Sequence, residues 1–506
     1  MTRRSALLGI VLSLSLLATA CAGDDDSADQ RDDDARTPET TAAGPEASGE
    51  DMERVAHREY VTRPDLTPPA IDVTTSASPT PGLVFLAPKR AGAQTGPLIV
   101  DGQGETIWAA PTSGDDVASD LRVQTYEGEP VLTWWEGRQL QGLGFGEYVI
   151  ADSSYQEIAR VRAGNGLEAD FHELRLTDEG TALLVAYRRE RADLTAVGGP
   201  VRGYEMENYV QEVDVDTGEV LMEWRAGDHV PVGDTYSELT DEEDGSDDGP
   251  FDWFHVNSVA PGPGDTLLVS ARNTHTIYAI DRATGEMRWR LGGKASDIAM
   301  GEGTEFTWQH DAQWLGGSRI SMFDNHATIT GGDASRALIL DVDTAARTST
   351  LVAEVSHPEA LSAGTQGNTQ MLDGGGLFVG WGSEGRVTEF APDGQMVFDA
   401  TFAPADSYRG HKFEWTGQPT TPPDVVVRPT DDDRVEVFVS WNGATEVAQW
   451  RVVGGDDPDA LMPLAIVAKD GFETAVTVDA AQQVAVEALD ASGDVLARSD
   501  PVAVTN

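Results

Sequence analysis

The sequence has a single cysteine in 506 residues, so no disulfide within the chain can stabilise the fold. Cations are scarce as well: lysine occurs only at positions 89, 294, 412 and 469, and 35 basic residues face 86 acidic ones. The formal net charge of −51 argues against nucleic acids and anionic membrane surfaces as partners. It would also repel an anionic substrate, so a site for such a substrate needs positive charge nearby.

Several patterns that identify common enzyme classes are absent. There is no Walker-type phosphate loop, no Gly-x-Ser-x-Gly nucleophile elbow and no dinucleotide-binding glycine motif. Between about residues 80 and 450 no helical periodicity is sustained. The acidic stretch Glu238–Asp248 lacks the ligand spacing of an EF-hand loop, so we predict a mobile insertion at the rim of the fold instead.

The N-terminus has the pattern of a bacterial export signal. Arg3 and Arg4 precede the apolar run Ser5–Ala20, which is too short for a comfortable membrane span and ends immediately before Cys21. This pattern predicts a lipoprotein signal peptide over residues 1–21 with lipidation of Cys21; the alternative is ordinary signal cleavage nearby. The protein is therefore expected outside the cytoplasm, anchored to the cell membrane by lipid alone.

The chain after the signal divides into three parts by composition. Residues 22–58 are rich in Asp, Thr, Ala, Gly and Pro and are predicted to be a disordered acidic linker. Strand–turn–strand patterns then recur with acidic-glycine turns near 104, 155, 218, 285, 344 and 394, a spacing typical of propeller blades. We predict an all-β fold: a six-bladed β-propeller over 59–423, with an alternative end near 450, and a fibronectin type III-like β-sandwich over 424–506.

Histidines begin equivalent strands in several of these repeats. Four segments can be superimposed, and they start at His172, His255, His310 and Asn368. Because the innermost strands of all blades start around one central funnel, these side chains are expected to converge. A structural histidine encoded by the repeat would appear on every blade, so we interpret the three histidines as functional.

The remaining histidines carry weaker signals. His326, in Asp324-Asn325-His326, is equally compatible with a functional and a structural role. We interpret the others as surface or packing residues, with His411 as a possible exception: His57, His229, His275, His357 and His411.

Residues beside the histidines suggest a ligand that is both aromatic and anionic. Trp253 and Trp308 would form the floor of an aromatic-binding pocket or belong to the core, and the sequence leaves both alternatives open. Arg272 lies near the same end of the funnel, where it would bind an anionic group or form a salt bridge with one of the many acids.

Four motifs together resemble the bacterial arylsulfotransferases, and most closely their divergent, often lipidated branch in actinobacteria. The resemblance covers roughly residues 60–450, and the motifs are Phe171-His172-Glu-Leu, Asp252-Trp-Phe-His-Val-Asn-Ser-Val259, Ser270-Ala-Arg272, and Thr307-Trp-Gln-His-Asp-Ala-Gln-Trp-Leu315 with Phe323-Asp-Asn325. Members of this family are six-bladed propellers that move sulfuryl groups between phenols without a nucleotide sulfate donor.

The resemblance implies a role for each matching residue. His310 corresponds to the histidine that accepts the sulfuryl group; His255, Asn257 and Arg272 would hold sulfate oxygens, and His172 would act on the phenolic oxygen. Trp253, Trp308 and Asn325 complete the expected substrate-binding residues. The expected partners are an aryl sulfate and a phenol, with no cofactor and no metal.

Asp311 departs from the family pattern, because a hydroxyl residue typically follows the nucleophilic histidine. Two other functions remain open: a non-catalytic surface propeller that binds an aromatic or sugar-like ligand, and a metal site made by His172, His255 and His310.

Overall fold

The structure is a computed structural model that describes residues 55–90, 92, 94–328 and 331–504. Within this part of the chain the regular elements are β-strands and four short 3₁₀ turns, which are Thr195–Val197, Ala226–Asp228, Val232–Asp234 and Gly382–Glu384. No helix among the described residues has the length and apolar character needed to cross a bilayer. The predicted signal peptide, including Cys21, and the linker up to residue 54 lie outside the described residues.

The strands are numbered in chain order. The first eight are β1 (Asp72–Ser76), β2 (Leu83–Lys89), β3 (Leu98–Val100), β4 (Thr106–Ala109), β5 (Val117–Tyr126), β6 (Glu129–Leu140), β7 (Leu143–Ala151) and β8 (Glu157–Val161). The next eight are β9 (Ala169–Leu176), β10 (Thr181–Ala192), β11 (Gly203–Asp214), β12 (Val220–Arg225), β13 (Val256–Pro261), β14 (Thr266–Ala271), β15 (Thr276–Asp281) and β16 (Met287–Gly292). They are followed by β17 (His310–Gly316), β18 (Arg319–Asp324), β19 (Ala327–Thr328), β20 (Gly331–Gly332), β21 (Arg336–Asp343), β22 (Thr348–Ser356), β23 (Asn368–Met371), β24 (Leu377–Gly380), β25 (Arg386–Phe390) and β26 (Met396–Thr401). The last nine are β27 (Asp406–Phe413), β28 (Asp424–Pro429), β29 (Arg434–Ser440), β30 (Gln449–Gly455), β31 (Met462–Ala468), β32 (Glu473–Asp479), β33 (Gln483–Leu489), β34 (Val495–Arg498) and β35 (Val502–Ala503).

Hydrogen bonding joins most of these strands into four-stranded antiparallel units. Unit 1 has the order β27-β2-β3-β4, unit 2 is β5–β8, unit 3 is β9–β12 and unit 4 is β13–β16. Unit 5 has the order β17-β18-β21-β22, and unit 6 is β23–β26 with β1 added at its outer edge. Units 2 and 3 form one continuous sheet through the single pair Gly146↔Ala169.

The units form a closed ring. The innermost strands contact one another in the order β27, β5, β9, β13, β17, β23, and β23 and β24 contact β27 again. Unit 1 closes the ring because it combines a strand from the C-terminal end of the propeller with three strands from its N-terminal end. The prediction of an all-β propeller is confirmed, and its closure depends on strand pairing and packing.

Alternating side chains on one strand fill the spaces on either side of each unit. Leu267 and Val269 of β14 pack toward unit 3, in a cluster with Val185, whereas Leu268 packs toward unit 5 with Ile320. Since both faces of each unit are buried, the middle strands are continuous apolar runs rather than alternating ones.

The C-terminal part consists of two β-sheets that pack against each other. One sheet contains β28, β29 and β32, and the other has the order β31-β30-β33-β34 with β35 beside β33. Val437, Trp450 and Val486 share the core between them. The ring closes at β27, so the strands from Asp424 onward pair with one another and do not complete a blade.

Packing contacts begin at Val55, whereas the linker was expected to extend to residue 58. Val55 is buried against Leu66 and Ile71, and the carbonyl oxygen of Ala56 accepts a hydrogen bond from the N–H of Ala70. A single apolar residue at the end of a polar stretch was too weak a signal to place the start of the fold.

Candidate functional site

The heads of the innermost strands meet at one end of the ring. His172 lies in β9, His255 directly precedes β13 and His310 begins β17, and all three are buried. The His172 and His255 rings are 4.9 Å apart between centroids. Tyr408 of β27 lies between the imidazoles, with its ring 5.3 Å from that of His172 and 6.3 Å from that of His310. Side chains from four units therefore form one cluster.

Buried carboxylates orient two of the imidazoles. The Nδ1 atom of His172 is hydrogen-bonded to Asp170, and the Nδ1 atom of His255 to Asp252. Such a bond places the proton on Nδ1 and leaves Nε2 for exchange with a ligand. The sequence contained a signal for both partners, since each acid lies two or three residues before its histidine.

The Nδ1 atom of His310 is also hydrogen-bonded, but its partner is a neutral amide instead of a carboxylate. Its Nδ1 is 2.6 Å from Oδ1 of Asn325 and 3.0 Å from the carbonyl oxygen of Trp308, and both of these atoms can only accept a hydrogen bond. Its Nε2 lies 3.3 Å from the backbone N–H of Gln366, which donates to it. The proton is therefore on Nδ1, and Nε2 carries a lone pair that can act as a nucleophile.

Asn325, which was predicted to bind substrate, is hydrogen-bonded on both sides of its amide within the protein. Its Nδ2 donates at 2.9 Å to the carbonyl oxygens of both Ala363 and Gln366, which forces Oδ1 toward His310. The amide is fully buried, and both its oxygen and its nitrogen are hydrogen-bonded to protein groups. Its function is to fix the tautomer and orientation of the imidazole.

Burial keeps His310 and His255 uncharged. Burial, together with the nearby Arg272 cation, lowers the pKa of His310 and of His255 well below the usual 6.5. Burial also raises the pKa of Tyr187 and of Tyr408 well above 10. His310, His255, Tyr187 and Tyr408 are therefore neutral across the physiological range.

Arg272 supplies positive charge to this end of the funnel. Its guanidinium lies over the ring of the partly exposed Trp308 at 4.8 Å, and its Nε donates to Oδ1 of Asn273 at 2.9 Å. Within the described residues no carboxylate approaches the guanidinium within 4.0 Å, so the salt-bridge alternative is not observed. The group is available to an anion.

Two other predicted substrate-binding residues lie deeper than expected. Trp253 is 1% exposed and packs in the core beside Phe254, which favours the packing alternative. Asn257 is buried, and its Nδ2 donates at 2.7 Å to the carbonyl oxygen of Gln309 in the next unit. Part of the amide predicted to hold a sulfate oxygen is therefore engaged with the protein.

Asp311 belongs to a buried ionic network rather than to the histidine cluster. Its carboxylate lies 3.6 Å from Arg409 and 3.7 Å from Arg175, and it accepts a hydrogen bond from the N–H of Thr369 at 3.2 Å. Because these groups neutralise and hold it, the carboxylate does not oppose an anion at His310. The departure from the family pattern is thereby accommodated.

The ionic network, which the sequence did not reveal, occupies the inner strands of units 1, 2, 3 and 5. Arg409 contacts Asp120 at 3.1 Å and Glu173 at 3.0 Å, and Arg122 contacts Glu173 at 3.2 Å. His411 lies 3.3 Å from Asp120, and burial lowers its pKa to about 4. His411 is thus a buried residue of this network.

Two more residues lie close to the histidine cluster, and no sequence motif pointed to either of them. Gln366, whose N–H contacts His310, is 6% exposed, and neither polar atom of its carboxamide has a hydrogen-bond partner. Lys89 is buried 5.1 Å above the ring of Phe171, which stacks on His172, and burial lowers the pKa of the amine to about 8. His326 is partly exposed.

The three histidines do not form a metal centre in this geometry. The part of the chain that the structure describes has no group of three His, Cys, Asp or Glu side chains placed to hold a metal ion.

Sequence comparison gives one family. The family model described as "Arylsulfotransferase (ASST)" matches residues 122–403, which is more than half of the chain. The match includes the three histidines and Arg272. No curated protein matches the sequence.

Solved structures are similar only distantly. A protein of unknown function from Bacteroides caccae is 14% identical, covers 66% of this chain and 99% of its own, and has a TM-score of 0.38. The β-propeller domain of Cps50 (Swd1) from Myceliophteria thermophila is 12% identical, covers 66% and 88%, and has a TM-score of 0.26. A catalytically inactive virginiamycin B lyase from Staphylococcus aureus is 8% identical, covers 78% and 97%, and has a TM-score of 0.31. At such scores the likeness says nothing about the chemistry of this chain.

Proposed function

The chain belongs to the arylsulfotransferase family, and from this premise we propose that it moves a sulfuryl group from a phenolic sulfate ester to a phenol through a sulfated His310. One observation carries the proposal. The Nε2 lone pair of His310 lies in the same cluster as two further imidazoles and near an arginine that has no carboxylate partner among the described residues.

In the first half-reaction Nε2 of His310 attacks the sulfur of the aryl sulfate. The N–S bond forms, the bond between sulfur and the aryl oxygen breaks, and the leaving phenolate takes a proton from the Nε2 side of a protonated His172. Arg272 stabilises the equatorial oxygens, where charge gathers during transfer of the sulfuryl group. His255 adds a further hydrogen-bonding group beside them.

The second half-reaction reverses these steps with a different phenol. His172, whose other nitrogen is bonded to Asp170, removes the phenolic proton, since a free phenol titrates near pH ~10 and needs a base. The phenolic oxygen then attacks sulfur, the N–S bond breaks and the lone pair returns to His310. The proton stored on His172 serves the next leaving group, so the cycle is balanced.

The test is a transfer assay with p-nitrophenyl sulfate as donor and a second phenol as acceptor. We expect nitrophenol release that depends on the acceptor and survives chelation, and a sulfated peptide containing His310 after incubation with donor alone. Release that needs a metal, or a labelled residue other than His310, would contradict the proposed cycle.

The ionisation of the cluster gives a prediction that does not depend on turnover. Since burial and the Arg272 cation lower the pKa of His310 and of His255, both imidazoles should stay neutral where free histidine is half protonated. Arg272→Met should raise both pKa values while leaving them below 6.5, because burial is the larger cause. NMR titration of the imidazole Cε1–H signals, assigned with His310→Gln and His255→Gln variants, measures this. An unshifted titration near pH 6.5 in the wild type would contradict the geometry.

We also propose that the protein is a lipoprotein of the extracytoplasmic face, in the lipidated actinobacterial branch of the family. This rests on the pattern that ends at Cys21, in a chain with no other cysteine. We expect the wild type to incorporate labelled palmitate and to partition into detergent, and Cys21→Ala to lose the label. Equal labelling of the two would show that Cys21 is not the acylated residue.

A further inference from the structure

A row of aromatic side chains leads from Arg272 to the surface of the protein. The guanidinium lies over the ring of Trp308, and the imidazole of His275 follows at 5.7 Å from Trp308 between ring centroids. Tyr236 stacks on His275, with the ring centroids 4.2 Å apart and an interplanar angle of 4°. Lys294 ends the row, with its Nζ 4.9 Å from the centre of the tyrosine ring. We call these five residues the aromatic row.

The aromatic row is built from separate loops that hydrogen bonds hold together. The turn between β14 and β15 contributes His275, whose N–H donates to the carbonyl oxygen of Arg272 at 3.1 Å. The loop before β13 contributes Tyr236, whose N–H donates to the carbonyl oxygen of Asn273 in the same turn at 2.7 Å. Lys294 follows the end of β16. The rings are therefore fixed in place before any ligand arrives.

The outer end of the aromatic row is open to solvent. Tyr236 is 39% exposed, Lys294 is exposed and Trp308 is partly exposed. Burial of part of the ring, and then Asp234, raise the pKa of Tyr236, so the ring is an uncharged phenol at neutral pH. An aromatic side chain that stacking already orders can bind a ligand ring at little further cost in entropy.

Positive charge lies only at the two ends of the aromatic row. Burial, followed by Arg272 and Lys294, lowers the pKa of His275 to about 4, so the imidazole between them is neutral. The Lys294 ammonium donates to the carbonyl oxygens of Gly233, at 3.2 Å, and of Thr235, which leaves one of its three N–H groups free. Among the described residues no carboxylate lies within 4.0 Å of this ammonium. The outer cation is therefore available to an anion.

We propose that Tyr236 and Lys294 form a specificity subsite for phenols that carry a second aromatic ring with a carboxylate. The inference rests on the proposed transfer, in which the phenolic oxygen lies at His172 and the first ring reaches Trp308. The second ring then contacts Tyr236, and the carboxylate accepts the free N–H of Lys294. Because donor and acceptor phenols occupy the same place in the proposed cycle, the sulfate esters of such phenols are the preferred donors.

The anionic group is the part of the ligand that this subsite selects. The chain carries 86 acidic against 35 basic residues, and its field repels anions. Lys294 offsets that field locally, and its free N–H forms a charge-assisted hydrogen bond with a carboxylate. A neutral phenol leaves this donor to water and keeps only the contact with Tyr236.

Isothermal titration of the purified protein with 4-phenylphenol and with 4′-hydroxybiphenyl-4-carboxylate tests the proposal. We expect the wild type to bind the carboxylate roughly tenfold more tightly, because one charge-assisted hydrogen bond is added. Lys294→Met should lose this preference and bind 4-phenylphenol as before. Tyr236→Ala should weaken both ligands, whereas Tyr236→Phe, which keeps the ring, should weaken neither. Arg319→Met removes an exposed cation at the opposite end of unit 5 and should keep the preference, as the matched control.

Equal affinity of the wild type for the two ligands would overturn the proposal, and so would a preference that survives in Lys294→Met or an unchanged affinity in Tyr236→Ala. An equal loss in Arg319→Met would also overturn it, because net charge rather than the subsite would then be responsible. Sulfation of the two phenols is measured separately. Selective binding without sulfation supports the subsite and counts against transfer, whereas sulfation with the same KM in wild type and Lys294→Met supports transfer and overturns the subsite.

Discussion

His310→Ala should lower kcat for sulfuryl transfer by at least about 10³-fold and abolish the sulfated peptide, because it removes the Nε2 lone pair that the proposed cycle uses as nucleophile. Residual turnover would come from binding and from Arg272 alone. The loss should appear in both half-reactions, since in the proposed cycle the same nitrogen receives and gives up the sulfuryl group.

The measurement combines stopped-flow release of nitrophenol with mass spectrometry of the donor-treated protein. His57→Ala, which changes a half-exposed histidine distant in sequence from the cluster, serves as the control and should keep wild-type activity. Full turnover by His310→Ala would show that another group carries the sulfate or that the donor and acceptor react directly. Asn325→Ala should retain the nucleophile but lose its orientation, and therefore lose less activity than His310→Ala.

Arg409→Met should lower the free energy of unfolding by about 3–5 kcal/mol. Arg409 contacts Asp120, Glu173 and Asp311, all of them buried, and its removal leaves these carboxylates with Arg122 and Arg175 as the remaining cations. The cost arises because a buried carboxylate without compensation cannot regain its hydration in the native state.

Urea unfolding followed by tryptophan fluorescence measures this loss. The control is Arg428→Met, which removes an exposed arginine that lies over Phe438 in the sandwich, and it should change the stability little. Adding Glu173→Gln to Arg409→Met should restore part of the stability, because it removes one of the uncompensated charges. Equal losses in Arg409→Met and Arg428→Met would mean that the network contributes no more than an exposed contact.

The propeller could be predicted because its physical cause is local. Each middle strand is buried on both faces, so it is an apolar run such as Leu267-Leu268-Val269, and the turns between strands require glycine and acidic residues at regular distances. The convergence of His172, His255 and His310 followed from the same repetition, because equivalent strand heads face one axis.

Partners of these residues were harder to predict when they came from elsewhere in the chain. From the sequence, the amide of Asn325 could bind a substrate. The carbonyl groups of Ala363 and Gln366, which lie 38 and 41 positions later, determine which way its oxygen points. In a sequence with 86 acidic residues, the charged side chains of the ionic network could not be told apart from surface charges. Only Asp170 and Asp252, close to their histidines in sequence, could have been recognised from spacing.

The sequence alone therefore determined the fold class and the residues whose meaning comes from repetition: the strands, the turns and the three histidines. The tertiary structure decided which groups are charged, which tautomer a histidine adopts and which polar atoms already have partners in the protein. Examples are the neutral His310, the hydrogen-bonded Asn257 and the buried, ion-paired Asp311. The physical reason is that burial and hydrogen bonding depend on which side chains from distant units lie within a few ångströms, and that distance is set by the closure of the ring.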